Sequence, residues 1–206
     1  MASNRREFIL AISMALIGGR AFAQYRIDSP LYRGYQIDMS AIAHAFEARR
    51  GEIVASVRHQ IDIAADCGAQ QSVLDFFQSQ KIFVRRVAGD GGGGFAPGRN
   101  SVFINAAVLP PQSPVLLHEL LHAYHAKVLP GGFNNRDILR FYNNAKTAQR
   151  SKVDAYGLKD QREFFAVTAS LYLWGHLDRP PFERATLKTL QPAYYAWLGN
   201  LFGVRK

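Results

Sequence analysis

The chain has 206 residues, 48% of them hydrophobic, a formal net charge of +9 and a single cysteine, Cys67. That length supports one domain with a substantial core, and a lone cysteine excludes an intramolecular disulfide, so stability has to come from packing and from any bound metal. The basic residues are scattered (Arg49, Arg50, Lys81, Arg85, Arg86, Arg136, Arg140, Arg205, Lys206), without the interleaved aromatics or motif of a nucleic-acid binder, so no nucleic acid is expected and acidic partners such as cell-envelope polymers are favoured.

Residues 1–23, MASNRREFILAISMALIGGRAFA, combine a basic start (Arg5, Arg6), an apolar run from Phe8 to Gly19, and Ala21 and Ala23 at the small positions before Gln24. This is the layout of a cleavable signal peptide, and the run is too short to span a bilayer stably. The order Arg5-Arg6-Glu7-Phe8 resembles a twin-arginine export signal. Removing this leader takes away three arginines and one glutamate and leaves the rest strongly basic.

From about Asp38 to Asp66, Ile42, Phe46, Val54, Val57 and Ile61 recur at helical spacing around a weak point at Gly51, which predicts a scaffold helix. His44 and His59 on it read as surface or packing residues. Lys81 to Ala88 and Ser101 to Asn105 are short and β-rich, and the spacing predicts a hairpin across a mobile loop, Gly89 to Gly98. The glycine run in that loop lacks the Lys-Ser/Thr pair of a phosphate loop. The strand SVFIN (Ser101 to Asn105) is the candidate open edge for an extended peptide.

The run Val115 to Ala126, VLLHELLHAYHA, holds His118, Glu119 and His122 in the HExxH arrangement. A helix turns about 100° and rises about 1.5 Å per residue, so the two imidazoles lie one turn apart on one face and can share a metal. Glu119 beside them suits a general base, taking a proton from water and returning it to the leaving amine. The flanking Leu116, Leu117, Leu120 and Leu121 make the helix apolar nearly all round, hence buried. Ionisable groups in such a helix need compensation, which a divalent cation supplies.

Two histidines leave zinc short of a third protein ligand. His125 lies about 10 Å along the helix axis from His118, too far to share an ion. A histidine ten residues after the first, another known arrangement, is absent because Val128 stands there. Glu163, in the apolar segment Asp160 to Leu177, is the better candidate, since a buried carboxylate among Phe164, Phe165 and Val167 wants a partner. A salt bridge to Arg162 or Arg140 is the alternative.

Between these two segments come a Gly131-Gly132 turn, a polar helix near Arg136 to Gln149 and a loop carrying Tyr156. His176 reads as a cap on the C-terminal end of the Glu163 helix. Pro180-Pro181 stops that helix, and Phe182 to Phe202 reads as one last helix with an apolar stripe of Leu187, Leu190, Tyr194, Trp197, Leu198 and Leu201.

With HELLH at His118 to His122, EFFA at Glu163 to Ala166, Tyr156 seven residues before that glutamate and the aromatic helix around LQPAYYAWL, the chain resembles the gluzincin metallopeptidases similar to the anthrax lethal factor catalytic domain. The resemblance spans roughly residues 80 to 203. It implies zinc bound by His118, His122 and Glu163, with Glu119 as general base and Tyr156 donating to the oxyanion. From its residues alone, Tyr156 could equally be a loop tyrosine packing its ring on the core. Where that family often carries a second carboxylate four residues after the ligand glutamate, this chain has Val167, so a hydrogen-bond acceptor behind a ligand histidine has to come from elsewhere, with Asp154 as candidate.

The expectation is therefore a mainly helical α+β chain with a small sheet. Residues 24–206 would form a single zincin-like domain holding one Zn²⁺ and hydrolysing peptide bonds after export to the periplasm or medium. A non-catalytic envelope protein that keeps the fold and the metal for stability or binding is the alternative. Water on the metal, rather than a fourth protein ligand such as His125, would separate the two.

Overall fold

In a computed structural model of the chain, residues 31–42, 49–86, 92–99, 101–148, 157–178 and 182–204 are described. The leader 1–23, His44, Asp154 and Tyr156 lie outside them. Among the described residues five strands form one mixed sheet: β1 (Leu31–Tyr32), β2 (Tyr35–Asp38), β3 (Lys81–Arg85), β4 (Gly93–Ala96) and β5 (Ser101–Asn105), in the order β1-β2-β3-β5-β4. Among the described residues seven α-helices accompany it: α1 (Arg50–Ala65), α2 (Gln71–Gln78), α3 (Val115–Lys127), α4 (Arg136–Ala148), α5 (Gln161–Trp174), α6 (Arg184–Leu190) and α7 (Pro192–Phe202). The architecture is the mainly helical α+β one that the sequence implies.

Alternation places the sheet's faces. In β3 and β5, Ile82, Val84, Val102 and Ile104 point into the core, while Phe83 and Phe103 point the other way. Cations cover those outer rings: Lys81 Nζ sits 4.9 Å from the Phe83 centroid and the Arg85 guanidinium 3.6 Å from that of Phe103. On the inner side α3 packs against α1, α5, β4 and β5, which makes it the central helix. The buried apolar residues of all these elements join in one continuous core.

Several local expectations need correction. The helix expected from Asp38 starts at Arg50, because Asp38 closes β2 instead, its carboxylate accepting from both the backbone N–H and hydroxyl of Ser40. Gly51 falls in the first turn of α1, not its middle. Strands β3 and β5 pair in parallel, not as a hairpin, since the intervening chain contributes β4, which runs antiparallel to β5. The segment expected to be a mobile loop thus contains a strand, and SVFIN is interior while β4 is the sheet's edge. The final helix splits at Gln191, because Pro192 has no backbone N–H to continue α6 and instead opens α7. Helix α5 stops at Trp174, where Gly175 takes a φ of 113°. His176 therefore lies beyond it and meets Gln112 Oε1, and Arg184 caps the helix end by donating to the carbonyls of Tyr172 and Leu173.

A candidate metal centre

Helix α3 begins at a proline, Pro114, which offers no capping side chain. Its exposed first-turn amides need another acceptor, and α1 supplies one: Gln60, fully buried, accepts from Leu116 N–H at 3.1 Å and donates to the Ser113 carbonyl at 2.9 Å. Leu116, Leu117, Leu120, Leu121 and Ala123 are all buried. This leaves His118, Glu119 and His122 on the one face that meets α5 and β4.

Helix α5 brings the third element. Asp160 caps it, its Oδ1 accepting from the backbone N–H groups of Arg162 at 2.8 Å and Glu163 at 3.0 Å. That fixes Glu163 in the first turn, its side chain aimed at α3. His118 Nε2 and His122 Nε2 stand 3.1 Å apart, with Glu163 Oε2 3.3 Å from the first and Glu163 Oε1 3.6 Å from the second. Arg140 pairs with Asp137, and Arg162 lies nearest Asp160, so neither arginine takes the Glu163 carboxylate.

These distances fit a cation. Zinc bonds of about 2.0 to 2.2 Å at tetrahedral angles put ligand atoms about 3.3 to 3.6 Å from one another, and the three side chains offer atoms all within 4.8 Å of one another. Glu163 Oε2 is buried and makes no hydrogen bond, an unsatisfied acceptor of the kind that metal coordination relieves. Two imidazole nitrogens and a carboxylate are also a donor set that suits zinc. Among the described residues no fourth ligand joins the group. His125 is fully buried, its ring 5.2 Å from that of Phe133 and 4.9 Å from that of Phe165.

Electrostatics divide the two glutamates. Burial alone would raise the pKa of Glu163, but its contacts with His118 and His122 more than reverse this and hold it well below the usual carboxylate range. Burial raises that of Glu119, with the two histidines only partly opposing it. Glu119 is 8% exposed and lies beneath β4, where a Cβ on Gly93 would come within 2.9 Å of its Cγ. The strand can approach only because it has no side chain there.

Above the cluster opens a cleft of about 400 Å³, with His118, Glu119 and His122 on its floor. One wall is β4 with Pro97, and the other is Phe133 and the start of α5. Sequence reading found the floor and named Arg162 only as an alternative partner for Glu163, but missed Gly93, Gly94, Phe95, Phe133 and Lys159 as lining residues. The Asp160-x-x-Glu163 spacing ahead of an apolar run was the one signal for the α5 wall. Val167 is buried in the core.

No family model and no curated protein sequence matches the chain. Among solved structures it is similar to the PRO-PRO endopeptidase PPEP-2 from Paenibacillus alvei, with 21% identity and a TM-score of 0.50 over 74% of this chain and 92% of that one. At that identity the likeness concerns the fold.

Proposed function

We propose that the chain is an exported zinc metallopeptidase of gluzincin type, with a zincin-like fold. One observation carries the reading: His118 and His122 of α3 and Glu163 of α5 converge at the floor of an open cleft. The structural likeness to an endopeptidase supports a peptide as the substrate. Zinc bound there supplies Lewis acidity, polarising the peptide carbonyl and making water a better proton donor. The chain's own groups do the rest. Glu119, adjacent to the cluster and raised in pKa by burial, takes the proton of the attacking water on its carboxylate and returns it to the leaving nitrogen. The β4 edge, with glycines at 93 and 94, lets an extended peptide lie along it as an added strand. Tyr156 is the proposed oxyanion donor, a role resting on the family resemblance.

Glu119→Gln and Glu163→Ala test the assignment. The first is expected to keep about one zinc per chain while hydrolysis falls at least ~100-fold, the scale of a lost general base. The second is expected to lose most of the zinc and the activity with it. An active Glu119→Gln, or a Glu163→Ala that binds zinc as tightly as wild type, overturns the reading. Export is tested by sequencing the N-terminus of protein from the cell envelope or medium: Gln24 is expected first, and a chain still starting at Met1 or Ala2 contradicts removal of the leader.

A further inference from the structure

The rim of the cleft is unevenly charged. Lys159 and Arg162 line it against one outer acid, Asp160. Asp160 is already engaged as the N-cap of α5, and Arg162 Nε lies 3.9 Å from its Oδ1, the outer limit of an ion pair. Lys159 has no ion-pair partner among the described residues. The deeper acids do not offset these cations, since Glu163 faces the two imidazoles and Glu119 lies beneath β4.

Apolar surface lies directly below Arg162. The Arg162 guanidinium sits over Phe133, 5.1 Å from the ring centroid, and Phe133 meets Phe95 of β4 edge to face at 6.4 Å. A side chain with an aliphatic stem and a terminal carboxylate matches this wall, its stem on the rings and its charge between Arg162 and Lys159. A lysine or arginine there would meet like charge. The register also follows: Gly93 touches Glu119, and a strand advances about 3.3 Å per residue, so Phe95 lies about 7 Å along the edge, two residues from the point of attack.

We propose that the cleft selects peptides carrying an Asp or Glu side chain within two residues of the cut bond, the carboxylate held by Arg162 and Lys159 against Phe133. This rests on the metallopeptidase reading. The test is digestion of a degenerate peptide library by the zinc-loaded full chain, and by Lys159→Glu/Arg162→Glu. In parallel, peptides from the same library are captured on zinc-loaded Glu119→Gln with and without the two reversals. Wild type is expected to favour an acid over its amide counterpart by roughly fivefold, the scale of a partly exposed ion pair. That preference should vanish in the reversed protein while zinc content and melting temperature hold. If the double variant fails to fold, Lys159→Gln and Arg162→Gln singly are expected to weaken the preference. Cleavage with no acidic preference, or a preference that survives reversal, overturns the proposal and leaves the peptidase reading standing. If no peptide is cleaved, the peptidase reading fails and the placement relative to a cut bond falls with it; capture then decides the selection itself, which acidic enrichment lost on reversal supports and its absence overturns.

Discussion

His125 illustrates how a side chain close after a candidate metal-binding pair can serve a different purpose. It is fully buried between Phe133 and Phe165, and neither ring nitrogen makes a hydrogen bond among the described residues. Burial, with smaller contributions from His122 and Arg162, pulls its pKa down to about 4. The folded chain thus resists a proton that the unfolded chain accepts near pH 6.5. Its contribution to stability is constant above about pH 6.5, falls as pH drops towards about 4, and levels off below that, a loss of about 3 kcal/mol in all. The measurement compares metal-free wild type with metal-free His125→Leu in urea at several pH values, so that contributions common to both chains cancel. The difference in stability between the two is expected to shift by this amount across the window; equal pH profiles would show that His125 is not held neutral by its surroundings. The same residue marks what was legible: helical rise alone set it apart from the candidate metal group, and HExxH with a glutamate in an apolar segment pointed to the three side chains that the structure brings together, because those signals are local. Its packing against Phe133 depends on a turn whose position no spacing rule reports.

At the scale of elements, the site depends on how α3 is started. Pro114 gives no cap, and Gln60, more than fifty residues earlier on α1, supplies both the acceptor for Leu116 N–H and the donor for Ser113. A neighbouring pair does the same for the preceding loop, with Ser56 Oγ accepting from Leu109 N–H at 2.9 Å. Gln60→Leu is expected to leave the buried Leu116 N–H unpaired, while the Ser113 carbonyl keeps the Val115 N–H, and to lower stability by about 1 to 3 kcal/mol, measured by urea unfolding; a loss within about 0.5 kcal/mol, the range of a surface change, would show that water replaces the side chain. Such long-range capping is invisible in a sequence, where Gln60 reads as one polar residue in an amphipathic helix. The edge strand was hidden for a different reason. Glycine is a poor strand former on its own, so Gly93-Gly94 reads as linker, yet a Cβ at Gly94 would collide with the Phe103 ring that lies across it. Tertiary contact, not propensity, makes β4 a strand.

Across the whole molecule, the proposed metal joins two helices that are distant in sequence. His118 and His122 sit on α3, Glu163 on α5, and these helices pack along each other at the centre of the core. The helical architecture was readable from apolar periodicity, but the pairing of α3 with α5 rested on one buried carboxylate needing a partner. With no disulfide available, a cation bound to the folded chain and not to the unfolded one is a cross-link present only in the native state. At a free concentration a thousandfold above its dissociation constant it stabilises by about 4 kcal/mol, which for a chain of this size corresponds to roughly 10 °C in melting temperature. Treating the purified full chain with a chelator should therefore lower the melting temperature by about that much, with amide exchange rising most in α3 and the first turns of α5. Restoring zinc should reverse both, while Glu163→Ala should melt at the chelated temperature with or without added zinc. A melting temperature insensitive to chelation in protein shown to have lost its metal would mean that the imidazoles and Glu163 hold one another without a cation, and that the convergence of α3 and α5 belongs to the fold alone.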